Sequence, residues 1–277
     1  MSNRIPLAGV IGAPVAHSLS PKLHGYWLRS YRIAGHYIPI EVTEEDLADV
    51  LRMLPRMGFV GANVTIPYKE AALVVADMVT DRAAIIGAAN TLIFHEDGRI
   101  HADNTDGYGF LSNLRQNAPD WDARKGPAAV LGAGGASRAI VTALLEAGAP
   151  EVRISTRTRA RADAMRTEFG PKISVHDWSR AGAMFAGAAT VVNTTSLGMA
   201  GEPEMKISFD ALTPGAVVTD AVYVPLRTRF LEEAAARGCH TVDGLGMLLH
   251  QAVPGFERWF GHRPEVNEAL RAAVLSE

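Results

Sequence analysis

A single cysteine, Cys239, in 277 residues excludes an intramolecular disulfide framework and points to a reducing compartment. A dominant charge is missing as well. Lys and Arg number 27 against 30 Asp and Glu, a formal net charge of -3, so no global field recruits nucleic acid or an acidic membrane. Long apolar runs are absent too: the longest uncharged stretch, residues 181–201, carries Asn193, Thr194, Thr195, Ser196 and three interior glycines, which excludes a membrane span. The opening MSNRIPLAGVIGAP lacks the sustained apolar core of a signal peptide, so the expected location is the cytoplasm. What is present is 48% hydrophobic residues with 21% charged, which is enough apolar material for a packed core and too little charge for disorder. The length suits two domains or one large one.

The first third mixes strand-like runs at residues 7–11, 36–42 and 61–65 with helical patterns, as in a small α/β unit. Thr43 and Asp46 resemble a capping box ahead of Leu47, Val50, Leu51 and Leu54, and Pro55 stops that helix. A second helical run is expected through residues 72–78. Residues 90–94 and 99–102 flank His95-Glu96-Asp97-Gly98, a hairpin signal that puts an antiparallel element in this sheet. After a polar, proline-bounded segment at 119–127 the texture changes. Six short apolar runs, at 128–131, 152–155, 173–175, 190–192, 216–219 and 240–242, stand at crossover spacing and predict a doubly wound parallel sheet. Helical patterns return at 246–260 and 265–275. The expected fold class is α/β in two domains: a substrate domain with a mixed sheet, residues 1–106 completed by 244–277, and a Rossmann-like domain, residues 107–243.

Gly132-Ala133-Gly134-Gly135-Ala136-Ser137 directly follows the run at 128–131 and precedes a helical pattern. Missing Cβ atoms at Gly132 and Gly134 let backbone approach a pyrophosphate, and free N–H groups at the helix N-terminus favour its charge. The competing explanation is a tight turn without a ligand. About 20 residues on, where an NAD site offers a carboxylate to the ribose, the sequence reads Thr156-Arg157-Thr158-Arg159-Ala160-Arg161. Guanidinium forks suit a 2′-phosphate, so the expected cofactor is NADP; the alternative is a solvated basic helix start.

Lys69, in Asn63-Val64-Thr65-Ile66-Pro67-Tyr68-Lys69, falls in the first turn of a helix opened by Pro67. The helix dipole disfavours a cation there, which suits a proton-transfer role; the alternative is a solvated surface lysine. Asp106, in Asp103-Asn104-Thr105-Asp106-Gly107, is a second candidate, or simply the N-cap of the helix that follows. Ser18 and Ser20 lie two apart on an expected extended stretch before Pro21, so both hydroxyls face one way and can bind a carboxylate; alternatively one caps the helix. His17 and His24 have no third ligand at metal spacing, so no metal is expected.

Taken in order, HSLSPKLH at 17–24, NVTIPYK at 63–69, GAANTL at 87–92, DNTDG at 103–107, GAGGASR at 132–138 and GMLLHQA at 246–252 resemble the shikimate dehydrogenase family over nearly the whole chain. Members reversibly reduce 3-dehydroshikimate with NADPH in aromatic amino-acid biosynthesis. The resemblance implies Lys69 and Asp106 as the catalytic pair, and Ser18 and Ser20 for the substrate carboxylate. For the substrate hydroxyls it implies Thr65, Asn90, Asp106 and Gln251, with Tyr223 also reaching the substrate. For the cofactor it implies Gly132, Ala133, Gly134, Gly135 and Ala136 at the pyrophosphate and Thr156, Arg157, Thr158 and Arg161 at the 2′-phosphorylated ribose, with Asp81, Ala221 and Gly244 as further contacts. Two positions depart from the pattern: Gly25 replaces a common Asn after the histidine, and Thr156 replaces one before the arginine.

The expected partner is therefore a small molecule, with no nucleic acid and no membrane; a homodimer is left open. Two rivals stand beside this reading. One is a dehydrogenase that also accepts quinate or uses NAD, against which Arg157 and Arg161 argue. The other is a catalytically silent NADP-binding sensor, against which the joint presence of Lys69, Asp106, Ser18, Ser20 and Gln251 argues.

Overall fold

A computed structural model describes residues 5–276. The chain forms two units, one comprising the residues up to Asp106 together with those from Leu248 onward, the other Gly107–Met247. In chain order the first unit supplies β1 (Leu7–Gly12), α1 (Ser20–Ser30), β2 (His36–Glu41), α2 (Leu47–Met53), β3 (Phe59–Val64), α3 (Lys69–Val75), β4 (Met78–Val79), α4 (Asp81–Ile86), β5 (Thr91–Phe94) and β6 (Ile100–Asp103). Helix α5 (Asp106–Asn117) leads into β7 (Ala128–Leu131), α6 (Gly135–Glu146), β8 (Val152–Ser155), α7 (Arg159–Phe169), β9 (Ile173–His176), β10 (Thr190–Asn193), β11 (Val217–Asp220), α8 (Arg229–Ala236) and β12 (His240–Val242). Helices α9 (Leu245–Phe260) and α10 (Glu268–Leu275) bring the chain back to the first unit.

The first sheet has the order β2-β1-β3-β5-β6-β4. Strand β1 runs parallel to β2 and β3, β5 antiparallel to β3 and β6, and β4 parallel to β6. In the β5–β6 hairpin Thr91 faces Asp103 and Phe94 faces Ile100, and Gly98 takes a φ of 85° in its turn, so the antiparallel element expected from the sequence is present. Ile11, Leu51, Val64, Leu92 and Ile100 form the core on the side of α2 and α3. The C-terminal segment completes the unit. Trp259 on α9 donates its indole N–H to Leu92 O at 2.9 Å, and Trp27 on α1 donates to Glu265 O at 3.0 Å.

Two expectations for this unit need correction. The helix expected at 72–78 begins at Lys69 and ends at Val75, because Asp77 pairs with the neighbouring strand: its N–H reaches Ile100 O at 2.9 Å and its carboxylate takes Ile100 N–H at 2.9 Å. Met78 and Val79 then join the sheet as β4 rather than continuing the helix. The stretch before Pro21 is also not extended. Leu19 sits in the right-handed helical region, and Ser18 Oγ accepts the Ser20 N–H at 3.3 Å, so the segment is a turn that opens directly into α1.

The second sheet has the order β12-β11-β10-β7-β8-β9, with every pairing parallel. Numbered within the unit, this is the doubly wound order, whose switch point lies between β7 and β10. All six strands are those expected from the sequence. The connection from β9 to β10 is a 3-10 segment, Trp178–Phe185, that buries Met184 and Phe185. Among the described residues no helix is long and apolar enough to cross a membrane.

Candidate active site

Lys69 is the first residue of α3, which follows β3 through the turn containing Pro67. Its Nζ donates to Asp106 Oδ2 at 2.6 Å, and the side chains of Lys69 and Asp106 are only 19% and 7% exposed. This is a sheltered ion pair and not a solvated lysine. Asp106 is the first residue of α5 and not the residue before it, and its carboxylate points to the site: Oδ1 accepts from Asn90 Nδ2 at 2.7 Å. The Asp106 N–H instead goes to Asn104 Oδ1 at 3.0 Å, and the Asn104 amide is fixed in turn on Ala88 O at 2.9 Å.

Asn90 is the hub of this arrangement. Its Oδ1 accepts the Thr105 N–H at 2.8 Å, and a backbone N–H can only donate, so the amide orientation is determined by chemistry. Asn90 Nδ2 therefore faces Asp106 and, at 3.1 Å, Gln251 Oε1. Gln251 returns its own amide N–H to Leu248 O at 3.2 Å. Both Asn90 amide protons are thus spent within the protein. The Asp103 carboxylate anchors the strand end before this loop: Arg82 grips both oxygens, Thr80 Oγ1 donates at 2.8 Å and Asn104 N–H at 2.7 Å. Burial works against that carboxylate's charge, but the Arg82 hydrogen bonds and charge, with Thr80 and Asn104, hold it below its ordinary value.

Ser20 is buried at the start of α1, whereas Ser18 is partly exposed in the preceding turn. Ser18 Oγ accepts the Ser20 N–H, which leaves its hydroxyl proton available to a ligand. Behind them lies Tyr37, whose hydroxyl donates to Asn63 Oδ1 at 2.7 Å. Burial pushes that phenol well above its ordinary value, and the Ser20 side chain's hydrogen bond opposes the shift. Asn63 Nδ2 continues to Asn90 O at 3.1 Å and Thr91 Oγ1 at 3.3 Å. A hydrogen-bonded path thus joins the serine corner to Asp106. His24 stacks on Tyr37 with ring centroids 3.9 Å apart; burial pushes its imidazole down to about 3, the Asn63 side chain opposing. Thr65 is half-buried, with its N–H on Ile11 O at 2.9 Å.

In the second unit the chain crosses from β7 to α6 through Gly132, Ala133 and Gly134. Gly132 has a φ of 114°, and a Cβ there would stand 2.4 Å from Thr194 Oγ1 at the end of β10, so only glycine fits this switch-point turn. Ser137 closes the turn by donating to Gly132 O at 2.7 Å. Gly134 is the N-cap of α6 and makes no side-chain cap; a Cβ on it would meet nothing within 4 Å. The first turn of α6, with Gly135 and Ala136, contains no acid. Uncapped N–H groups facing open space suit an anionic pyrophosphate.

Gly132 N–H reaches Ser155 O at 2.8 Å, so the turn lies beside the end of β8. Thr156, Arg157 and Thr158 follow, and α7 opens at Arg159 without a side-chain cap. Arg159 is held by Asp163 at 3.5 Å and by Asp177. Arg157 and Arg161 are exposed, and among the described residues neither forms an ion pair. Two unspent guanidinium groups and no carboxylate suit a 2′-phosphorylated ribose, so the residues present fit NADP.

At the end of β11, Asp220 accepts Asn193 Nδ2 at 2.8 Å, Val222 N–H at 2.9 Å and the Thr228 hydroxyl at 2.7 Å. Burial pushes its carboxyl up to about 6 against these three hydrogen bonds. They shape the loop that carries Ala221 and Tyr223, whose phenol burial pushes up. A Cβ on Gly244 would stand 2.5 Å from Asp220 O and 2.8 Å from Ala221 O, so Gly244 packs backbone to backbone on this loop. Asp81, in the first unit, is exposed in the first turn of α4, whose cap is Thr80.

Reading the sequence missed Tyr37, Asn63, Thr91 and Thr105 as members of the network. Three of them lie inside or beside quoted motifs, but their partners are about 15 or more residues away in sequence, as for Thr105 on Asn90 and Asn63 on Thr91. Tyr37 carried no signal beyond its place in a strand.

Three family models match the chain: the shikimate dehydrogenase substrate binding domain over residues 10–92, shikimate / quinate 5-dehydrogenase over 114–199, and the shikimate 5'-dehydrogenase C-terminal domain over 244–274. A shikimate dehydrogenase (NADP(+)) of Cereibacter sphaeroides is 68% identical over 273 residues, covering 99% of this chain and 98% of the relative. The shikimate 5-dehydrogenase of Thermus thermophilus, solved with NADP(H) and shikimate, has a TM-score of 0.87 and 38% identity, covering 98% of each chain. The quinate dehydrogenase of Corynebacterium glutamicum, solved with NAD, has a TM-score of 0.88 and 31% identity, covering 97% of this chain and 98% of that one.

Proposed function

Because the chain belongs to the shikimate and quinate dehydrogenase family, we propose that it interconverts shikimate and 3-dehydroshikimate with NADP, a step of aromatic amino-acid biosynthesis in the cytoplasm. The observation that carries this reading is the sheltered Lys69–Asp106 pair, its contact 2.6 Å long and its geometry enforced by Asn90. Reduction of a ketone needs a proton at the developing alkoxide, delivered where water is scarce. Lys69 and Asp106 form the unit through which that proton moves, and Asn90 keeps the carboxylate facing the lysine. Ser18 and Ser20 hold the substrate carboxylate, while Thr65, Asn90 and Gln251 bind its hydroxyls. Since Asn90 has no unspent amide proton, a substrate hydroxyl takes the place of Gln251 on Asn90 Nδ2, which frees Gln251 Oε1 to accept from the substrate in turn.

In the second unit, the N–H groups at Gly134, Gly135 and Ala136 hold the pyrophosphate, and Arg157 and Arg161 hold the 2′-phosphate, with Thr156 and Thr158 beside them. When bound, the nicotinamide supplies the hydride for C3 of the ketone. The test is NADPH formation by the purified protein, with shikimate and quinate each crossed against NADP and NAD. Strong activity with shikimate and NADP alone is expected. Preference for quinate or NAD would transfer the chain to the other branch of its family, and binding of NADP without turnover would make it a sensor.

A further inference from the structure

Thr105 is fully buried and touches three parts of the first unit at once. Its hydroxyl lies 2.8 Å from Gln251 O, 3.1 Å from Asn90 Oδ1 and 3.1 Å from Thr91 Oγ1. The proton positions follow from which atoms can only accept or only donate. Asn63 Nδ2 donates to Thr91 Oγ1, so Thr91 is free to give its own proton to Asn90 Oδ1 at 2.9 Å. The second lone pair of Asn90 Oδ1 takes the Thr105 N–H. The Thr105 hydroxyl proton then belongs to Gln251 O, its shortest contact and a pure acceptor. This bond joins the loop just before Asp106 to α9. Pro254 lies inside α9 and offers no N–H to His250 O, one residue from the carbonyl that Thr105 holds.

We propose that Thr105 is a positioning residue: through its bond to the Gln251 carbonyl it fixes the Gln251 side chain beside Asn90, where its Oε1 receives the incoming substrate hydroxyl, and so sets that hydroxyl's alignment with the Lys69–Asp106 pair. The inference rests on the roles given above to Gln251 and Lys69. Thr105 itself touches no substrate, since its hydroxyl is enclosed by protein acceptors.

Thr105→Val keeps the shape and removes the hydroxyl, while Thr105→Ser restores it. The expected result for Thr105→Val is a kcat with shikimate about tenfold lower, the size of one lost buried hydrogen bond, with the NADP dissociation constant unchanged and kcat recovered in Thr105→Ser. A double-mutant cycle separates positioning from general loosening. Placed on Gln251→Ala, the valine causes almost no further loss of kcat, because the side chain it displaces is gone; a structural defect would add in full. Melting temperatures of all four proteins show whether each variant folds. If the valine variant does not fold, the same cycle with Thr105→Ala provides the reading. Full kcat in a folded hydroxyl-less variant, or additive losses in the cycle, would overturn the proposal. If Gln251→Ala and Lys69→Ala themselves turn over normally, it is the functional reading underneath that fails.

Discussion

The polar groups of the two units are used in opposite ways. Around Lys69 in the first unit, the Asp106 oxygens, both Asn90 amide protons and the Asn104 amide are already bonded to other protein groups. Around Gly134 in the second, the helix start is uncapped and Arg157 and Arg161 have no acidic partner among the described residues. The difference follows from the tasks. Groups that move a proton must be held in one orientation before the substrate arrives, since any reorganisation adds to the barrier. Groups that take up a polyanion must keep their donors unspent until it arrives.

The largest effect is expected from removing the most constrained group. Lys69→Ala should lower turnover with shikimate by about a hundredfold to ten-thousandfold, as for loss of a positioned proton donor, while NADP binding measured by calorimetry stays as it was. Loss of NADP affinity in that variant would erase the division of labour between the units. A smaller effect is expected one step behind the pair. Arg82→Ala leaves the buried Asp103 carboxylate without its guanidinium, but the arginine side chain is 45% exposed, so water recovers part of the loss. Destabilisation of about 2 kcal/mol in urea unfolding fits this arrangement; an unchanged midpoint would show that Asp103 is held by Thr80 and Asn104 alone.

The third effect vanishes at neutral pH and appears only on acidification. The His24 imidazole, pushed by burial from 6.5 to about 3, stays neutral in the folded unit. Below pH 6.5 the unfolded chain binds a proton that the folded chain refuses, so stability falls as pH drops towards 3, by up to about 1.4 kcal/mol per pH unit. Replacing His24 with Phe should keep the stack on Tyr37 and remove that slope from unfolding measured on the acid side. The second unit carries the opposite sign. Asp220, raised from 3.8 to about 6, contributes stability that is lost as pH climbs through that window.

How much of this was legible in the sequence differs between the units for physical reasons. The strands of the second sheet announce themselves because all six are short runs separated by crossovers and the inner four, β7, β8, β10 and β11, are buried on both faces. The glycine turn was legible because φ of 114° at Gly132 admits almost nothing else. Lys69 at a helix start was visible through Pro67. The end of α3 was not, because Ala72, Val75 and Met78 keep helical spacing while the break comes from Asp77 bonding to Ile100, a residue of another strand. Likewise the turn at Ser18 arises from a hydroxyl-to-backbone bond that overrides the extended preference before proline. The web around Asn90 was hidden altogether. It is made of small polar residues from β3, β5, the loop before α5 and α9, and no local pattern records which amide faces which carboxylate.

Single-turnover NADPH formation from saturating shikimate, followed across NADP concentration, tests the division most directly. The proteins compared are the wild type, Lys69→Ala and the double variant Arg157→Ala with Arg161→Ala. The account predicts that Lys69→Ala lowers the plateau rate and keeps the half-saturating NADP concentration. It predicts that the double variant keeps the plateau and raises half-saturation by about a hundredfold, the size of two lost charge-assisted contacts. An unchanged plateau in the first variant, or unchanged half-saturation in the second, would contradict it.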